Sequence, residues 1–297
     1  MITSQINALI SLIEDPDEMI FTHVRNELSN CGMEVIPRLE KECETDGHGP
    51  LFRSRIEELI QTIQFDSISK KLELWFNSEE QDLLEGCLII NEFQYPTQNG
   101  DQIRKEISRI RQDVWLELND NLTAFEKVRI LNHILFNVHG FEGNKNNYTA
   151  PSNSYLSDVI HNKKGSPLSL AIVYQVLAES LDIPIHGVNL PNHFILCYMD
   201  ELGIASMLDE TVAENGILFY INPFSQGTVI HQNEIDEFLF HLNLPQKVKF
   251  YKPCANQDII KRLINNLIYG YQEKGNEKKV ASLRALQNVF SPVRSAK

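Results

Sequence analysis

The chain has 297 residues, with 27 Lys and Arg against 40 Asp and Glu, a formal charge of −13. At roughly 150 residues per domain this is about two domains, and 42% hydrophobic with 23% charged residues excludes a disordered or membrane-embedded class. No apolar run approaches the ~20 residues of a membrane helix, and Met1 to Glu14 has no basic start of a signal peptide, so the expectation is a cytoplasmic chain with no membrane partner.

The first hundred residues read as short helices in pairs. Ile6, Leu9, Ile10 and Ile13 follow helical spacing and share one face. Asp15-Pro16 stops that helix; Asp15 is expected to cap a second one, with Pro16 at its first position and Ile20, Val24 and Leu28 as its apolar stripe. Cys31-Gly32 ends it, and Val35, Ile36 and Leu39 begin a third. Further helical periods lie at Ile56 to Ile63, Leu72 to Phe76 and Leu83 to Ile90. Helical hairpins of this kind stack as solenoids, so residues 1–100 are expected to be an all-α, HEAT-like region.

An amphipathic helix is expected from Gln102 to Leu118, with Ile103, Ile107, Ile110, Val114 and Leu118 on one side, and another from Phe125 to Phe136. Loop residues crowd Gly140 to Pro151. Helical character resumes at Pro167, and Leu168 to Ala178 is apolar nearly all round, which requires burial on most sides. After Pro184 come β-like runs at 185–190, 193–199, 204–208 and 216–221. Helices followed by consecutive strands predict an α+β domain with an antiparallel sheet, assigned to residues 101–250. Residues 251–297 close the chain as one helical hairpin, Ile259 to Glu273 and Glu277 to Phe290.

Charge is unevenly placed: residues 1–100 carry net −12, 101–164 net +1, 165–246 net −10 with no Lys or Arg, and 247–297 net +8. A stretch of 82 residues without a cation offers nothing to phosphate, so no nucleic-acid partner and a neutral or cationic ligand are expected there. The basic tail is expected to dock on the protein's own acidic surface. Five scattered cysteines without a CxxC argue against a disulfide framework or zinc ribbon. Neither His186, His193, His231 nor His241 falls in HxH or HxxxH spacing. No metal and no cofactor are expected, and the glycines form no nucleotide-binding motif.

Four motifs occur in order: Asn153-Ser154-Tyr155-Leu156, Gly165-Ser166-Pro167-Leu168-Ser169-Leu170-Ala171, Pro191-Asn192-His193-Phe194 and Ile221-Asn222-Pro223-Phe224. Together they resemble the bacterial SirB-type transglutaminase-like proteins. The resemblance implies a papain/transglutaminase-like core, a central buried helix against an antiparallel sheet, with a helical region before it and a TPR-like hairpin after it. An active core of this type places a Cys at the start of the central helix, a His on a strand and an Asp or Asn on the next strand. Carried over, the His is His193, the orienting residue is Asn222 and the nucleophile position is Pro167. Proline has neither a nucleophile nor a backbone N–H. Asn222 replaces the usual Asp and can hold a tautomer without stabilising an imidazolium by charge; Asn192 replaces the usual Gly.

Ser166 and Ser169 are the remaining candidate nucleophiles. Ser166 is expected to be occupied as an N-cap, and Ser169 to point about 200° away from Pro167. Cys197, read as sharing a strand face with His193, falls about 13 Å from it. The expected function is therefore a non-catalytic transglutaminase-like protein that binds a protein partner or organises an assembly. The alternative is an acyl-transfer or amide-hydrolysing enzyme with His193 as general base, Asn222 or Asp209 orienting it, and a water or Ser hydroxyl attacking. A third option is a small-ligand module in the remnant cleft. A scaffold is expected to fill that cleft with its own side chains; an enzyme, to keep it open.

Overall fold

The computed structural model describes residues 3–44, 49–98, 100–200, 203 and 216–290. They form two compact units, residues 1–74 and 75–297. The first contains α1 (Thr3–Ser11), α2 (Glu18–Asn30), α3 (Ile36–Glu44) and most of α4 (Pro50–Phe76). Its core gathers Ile13, Val24, Leu28, Leu39, Ile56 and Leu59, as the helical spacing requires. Two local expectations shift. Asp17, not Asp15, caps α2 by accepting the Met19 amide, while Asp15 Oδ1 accepts the Asp17 amide at 2.9 Å. The carboxylate nearest the helix start outcompetes the one before the proline. The buried stripe is Phe21, Val24 and Leu28, with Ile20 turned toward solvent. The two periods expected at 56–63 and 72–76 belong to one 27-residue helix, because no Gly or Pro interrupts the chain between them.

In this unit Arg55 is buried. Its Nη1 donates to the Ile13 and Asp15 carbonyls at 2.8 and 2.6 Å, its Nη2 donates to Glu18 at 2.6 Å, and its guanidinium lies 4.1 Å from the Phe21 ring. One side chain thus satisfies the carbonyls exposed where α1 stops.

The second unit begins with α5 (Leu83–Glu92), capped by Asp82, and α6 (Asp101–Glu117), which buries Ile103, Ile107, Ile110 and Val114. Then follows α7 (Ala124–Asn132), started by a Thr123/Glu126 capping box and continued as a π-helical turn over His133–Val138. Strand β1 (Glu142–Gly143) pairs in parallel with β2 (Lys164–Gly165) across α8 (Leu156–Asn162). Directly after β2 comes α9 (Pro167–Glu179), in which every residue from Pro167 to Ala178 is buried. It packs on α5, α6 and α8 and on the sheet, and is the central helix that its apolar sequence demands.

The sheet is an antiparallel meander of β3 (Ile185–Val188), β4 (Ile195–Met199), β5 (Ile217–Asn222) and β6 (Thr228–Ile230). The mixed α+β class with a central helix and an antiparallel sheet is as the sequence implied. Strand β6 was not anticipated: it has only three residues, entered through left-handed Gln226 and Gly227. The run at 204–208 lies outside the described residues. After the sheet come α10 (Gln232–His241), α11 (Asn256–Glu273) and α12 (Glu277–Gln287), the last two packed as a hairpin. The hairpin docks through apolar burial of Ile259, Ile260, Leu263, Ile264 and Leu267, with α11 against α5 and α9. Among the described residues no helix is long and apolar enough to cross a membrane.

Candidate functional site

The site is built around the start of α9. Ser166 has extended backbone, as an N-cap requires, and Pro167 occupies the first helical position, where its fixed φ fits and its missing N–H costs nothing. Ser166 Oγ accepts the Ser169 amide at 3.2 Å, Ser169 Oγ accepts the Ser166 amide at 2.9 Å, and the two hydroxyls lie 3.1 Å apart. Both hydroxyls are therefore engaged in a reciprocal capping box. Ser166 borders the neighbouring cavity and Ser169 does not.

The loop before α8 is tied to this helix start by Asn153. Its Oδ1 accepts from Asn144 Nδ2 at 2.9 Å, its Nδ2 donates to the Tyr148 carbonyl at 3.1 Å, and its own carbonyl accepts the Ser166 amide at 3.4 Å. Asn153 is buried, so these bonds are not diluted by water. They set Tyr148 at the cavity edge. Tyr155, from the same motif, meets Tyr271 of α11 hydroxyl to hydroxyl at 3.1 Å, and Tyr271 donates to Gln94 at 2.8 Å. At Gly270 the backbones come closer still: a Cβ there would lie 2.4 Å from the Thr149 carbonyl oxygen.

His193 precedes β4 rather than lying in it. The turn from Leu190 to His193 is closed by the His193 amide donating to the Leu190 carbonyl at 3.3 Å, and Asn192 takes φ +56°. Asn tolerates this left-handed conformation better than most other side chains, so Asn192 closes the turn without a glycine. Because His193 lies outside the strand, the four-residue rise expected between it and Cys197 does not apply. Cys197 is a buried core thiol packed with Val188, Ile195 and Tyr220, pushed up to about 12 by burial, and it does not border the cavity.

Asn222 ends β5, the strand paired with β4, and both His193 and Asn222 border a second, smaller hollow of about 340 Å³. Asn222 Oδ1 is buried and reaches no partner at bonding geometry, yet the Asn222 side chain lies near enough to the imidazole to favour its protonated form. Burial dominates: it holds the His193 pKa below the ordinary histidine value, Asn222 opposes the shift, and the Arg262 charge adds to it. The ring is neutral at pH 7. Asp209 lies outside the described residues.

The larger cavity, about 420 Å³, brings together Tyr148, Ser166, Pro167, His193, Arg262 and Tyr269. The described side chains leave it open, contrary to the expectation for a scaffold. Sequence reasoning missed Arg262, Asn266 and Tyr269. They stand at i, i+4 and i+7 on α11 and form its polar stripe, a spacing that was readable although its destination was not. Arg262 also corrects the expectation of a cation-free site: the segment 165–246 has no cation, but α11 supplies one. Among the described residues no group of three or more His, Cys, Asp or Glu is placed to hold a metal ion.

Comparison with known proteins agrees with this architecture. Residues 101–265 match the family model described as the transglutaminase-like superfamily. A UPF0162 protein of Xylella fastidiosa strain 9a5c is 26% identical over 197 residues, covering 64% of this chain and 65% of that protein. The chain thus spans just under two thirds of that relative's length. A UPF0162 protein of Vibrio cholerae is 23% identical over 161 residues, 54% of each chain. F-box only protein 21 of Homo sapiens is 25% identical over 156 residues, 52% of this chain and 23% of that protein. No solved structure matches the chain.

Proposed function

We propose, from the premise that the chain belongs to the transglutaminase-like superfamily, that it is a non-catalytic member acting as a cytoplasmic protein-interaction module, with the family's nucleophile position occupied by Pro167. The observation that carries this reading is the start of α9: an imino acid stands at the first position, and the hydroxyls on either side are bonded into the helix cap. Nothing there is free to attack an acyl carbon. The similarity confined to 23% of F-box only protein 21 supports a module, since a like core there occupies part of a much longer chain. A net charge of −13 favours a protein partner over nucleic acid. The open cavity modifies the reading: the module keeps a hollow in which a partner's group or a small ligand can sit.

The test is turnover. Wild type and His193→Ala are compared for hydrolysis of p-nitrophenyl acetate and for coupling of a fluorescent amine to casein. Neither variant is expected to exceed the buffer rate; activity in wild type that His193→Ala abolishes, with folding intact, overturns the proposal.

One observation favours the enzyme reading. A neutral imidazole facing Asn222 at the edge of an open cavity is base-competent. In that reading His193 deprotonates a water, or the Ser166 hydroxyl after release from the cap, and Asn222 or Asp209 orients the ring.

A further inference from the structure

Among the described residues Arg262 is a cation without a counter-ion. It is half-buried, and burial pulls its guanidinium pKa down. Its Nη1 donates to two neutral acceptors, Asn189 Oδ1 and the Leu190 carbonyl, and it pairs with no carboxylate among the described residues. Burying a charge without an opposite one is costly. The two neutral bonds hold the guanidinium in place while leaving its charge uncompensated. Among the described residues none bordering the 420 Å³ cavity is acidic, and Arg262 gives its wall a positive charge.

The rest of the wall narrows the ligand. Tyr148, Phe194 and Tyr269 give aromatic surface, the Phe194 ring lying 5.7 Å from the guanidinium, and Pro167 and Leu168 give apolar surface. Leu168 borders the cavity at the second helical position, where backbone amides have no intrahelical acceptor and form the positive end of α9. One guanidinium with one helix-start amide matches a single negative charge with two oxygens. A dianionic phosphate would call for more, and Pro167 removes the first amide that could have served it.

We propose that this cavity is a receptor for a carboxylate attached to an apolar or aromatic group about the size of one or two amino-acid residues, with Arg262 as the anion-binding residue. The proposal deepens the non-catalytic reading and rests on it, since it assigns the hollow to recognition rather than turnover.

The experiment uses the full chain and three probes followed by ligand-observed NMR: N-acetyl-L-phenylalanine, its carboxamide and phenyl phosphate. Wild type is expected to bind the acid about tenfold more tightly than the amide, and more tightly than phenyl phosphate. Arg262→Gln is expected to abolish the preference, so that acid and amide bind alike. Arg262→Lys, which keeps the charge without the fork, should fall between. Equal binding of acid and amide by wild type, tighter binding of phenyl phosphate, or no binding of any probe at millimolar concentration overturns the proposal. The wild-type comparison stands even if Arg262→Gln fails to fold. The same spectra separate the two readings: free acetate released from a probe sinks the non-catalytic reading, whereas absent discrimination sinks only the carboxylate receptor.

Discussion

Ser166 and Ser169 each bond the other's backbone amide as well as the other's hydroxyl, so the first turn of α9 is closed by a symmetrical pair of side chains. Removing one such cap costs about 1 kcal/mol. Ser166→Ala and Ser169→Ala are each expected to lower stability by about that much in urea unfolding. The double variant should lose less than the sum, because the two residues share the bonds that each single change breaks. Additive losses would mean that the residues cap independently.

The central helix was legible because its signal is local and redundant: apolar residues on every face from Leu168 to Ala178 have only one resting place, and Ser-Pro marks its start. His193 and Asn222 were reachable through motif order, since each ends or precedes a strand of one meander. Arg262 was not, because the bonds that hold it span 72 and 73 residues of sequence. Helical spacing shows a polar stripe on α11 without showing what it faces. The displaced cap at Asp17 illustrates a different limit: two aspartates flank one proline, and a single turn of geometry decides between them.

The depressed pKa of His193 has a signed consequence. The unfolded chain takes up this proton near the ordinary value of about 6.5 and the folded chain takes it up only at lower pH. The contribution of the neutral ring is thus fully present above the unfolded value and is lost as pH falls through it toward the folded one. His193→Gln should lose less stability than wild type over that acidic window. In an NMR titration Asn222→Ala is expected to lower the His193 pKa further, by removing the group that favours the charged ring, and Arg262→Gln to raise it. Shifts of the opposite sign would refute the arrangement.

Gly270 predicts a reversal of the usual rule. In an exposed helix Gly→Ala stabilises by about 1 kcal/mol; here the new Cβ would meet the Thr149 carbonyl at 2.4 Å and the Pro151 ring at 3.1 Å. Overpacking of this kind costs about 1–3 kcal/mol. Gly270→Ala is expected to destabilise the protein and, by lifting α11 from the loop beneath it, to disturb the resonances of Tyr148 and Tyr269. Stabilisation would show that the helix has room to move.

Arg55→Met keeps the apolar stem and removes the donors that serve Ile13, Asp15 and Glu18. The two carbonyls at the end of α1 then lose buried partners, a loss of about 2 kcal/mol or more. Denaturation should show it as a lower midpoint, and high salt should not rescue it, because most of the loss is to neutral acceptors rather than to an ion pair.

The placement of α11 also dictates where the protein can be cut. A fragment ending at residue 250, the end expected for the α+β domain, would keep His193, Asn222 and the whole sheet yet forfeit the helix that supplies Arg262, Asn266 and Tyr269. Its binding face would be left half-walled and its interior greasy side chains bare. A piece carrying the whole wall of the hollow therefore has to extend beyond the sheet at least as far as Tyr269.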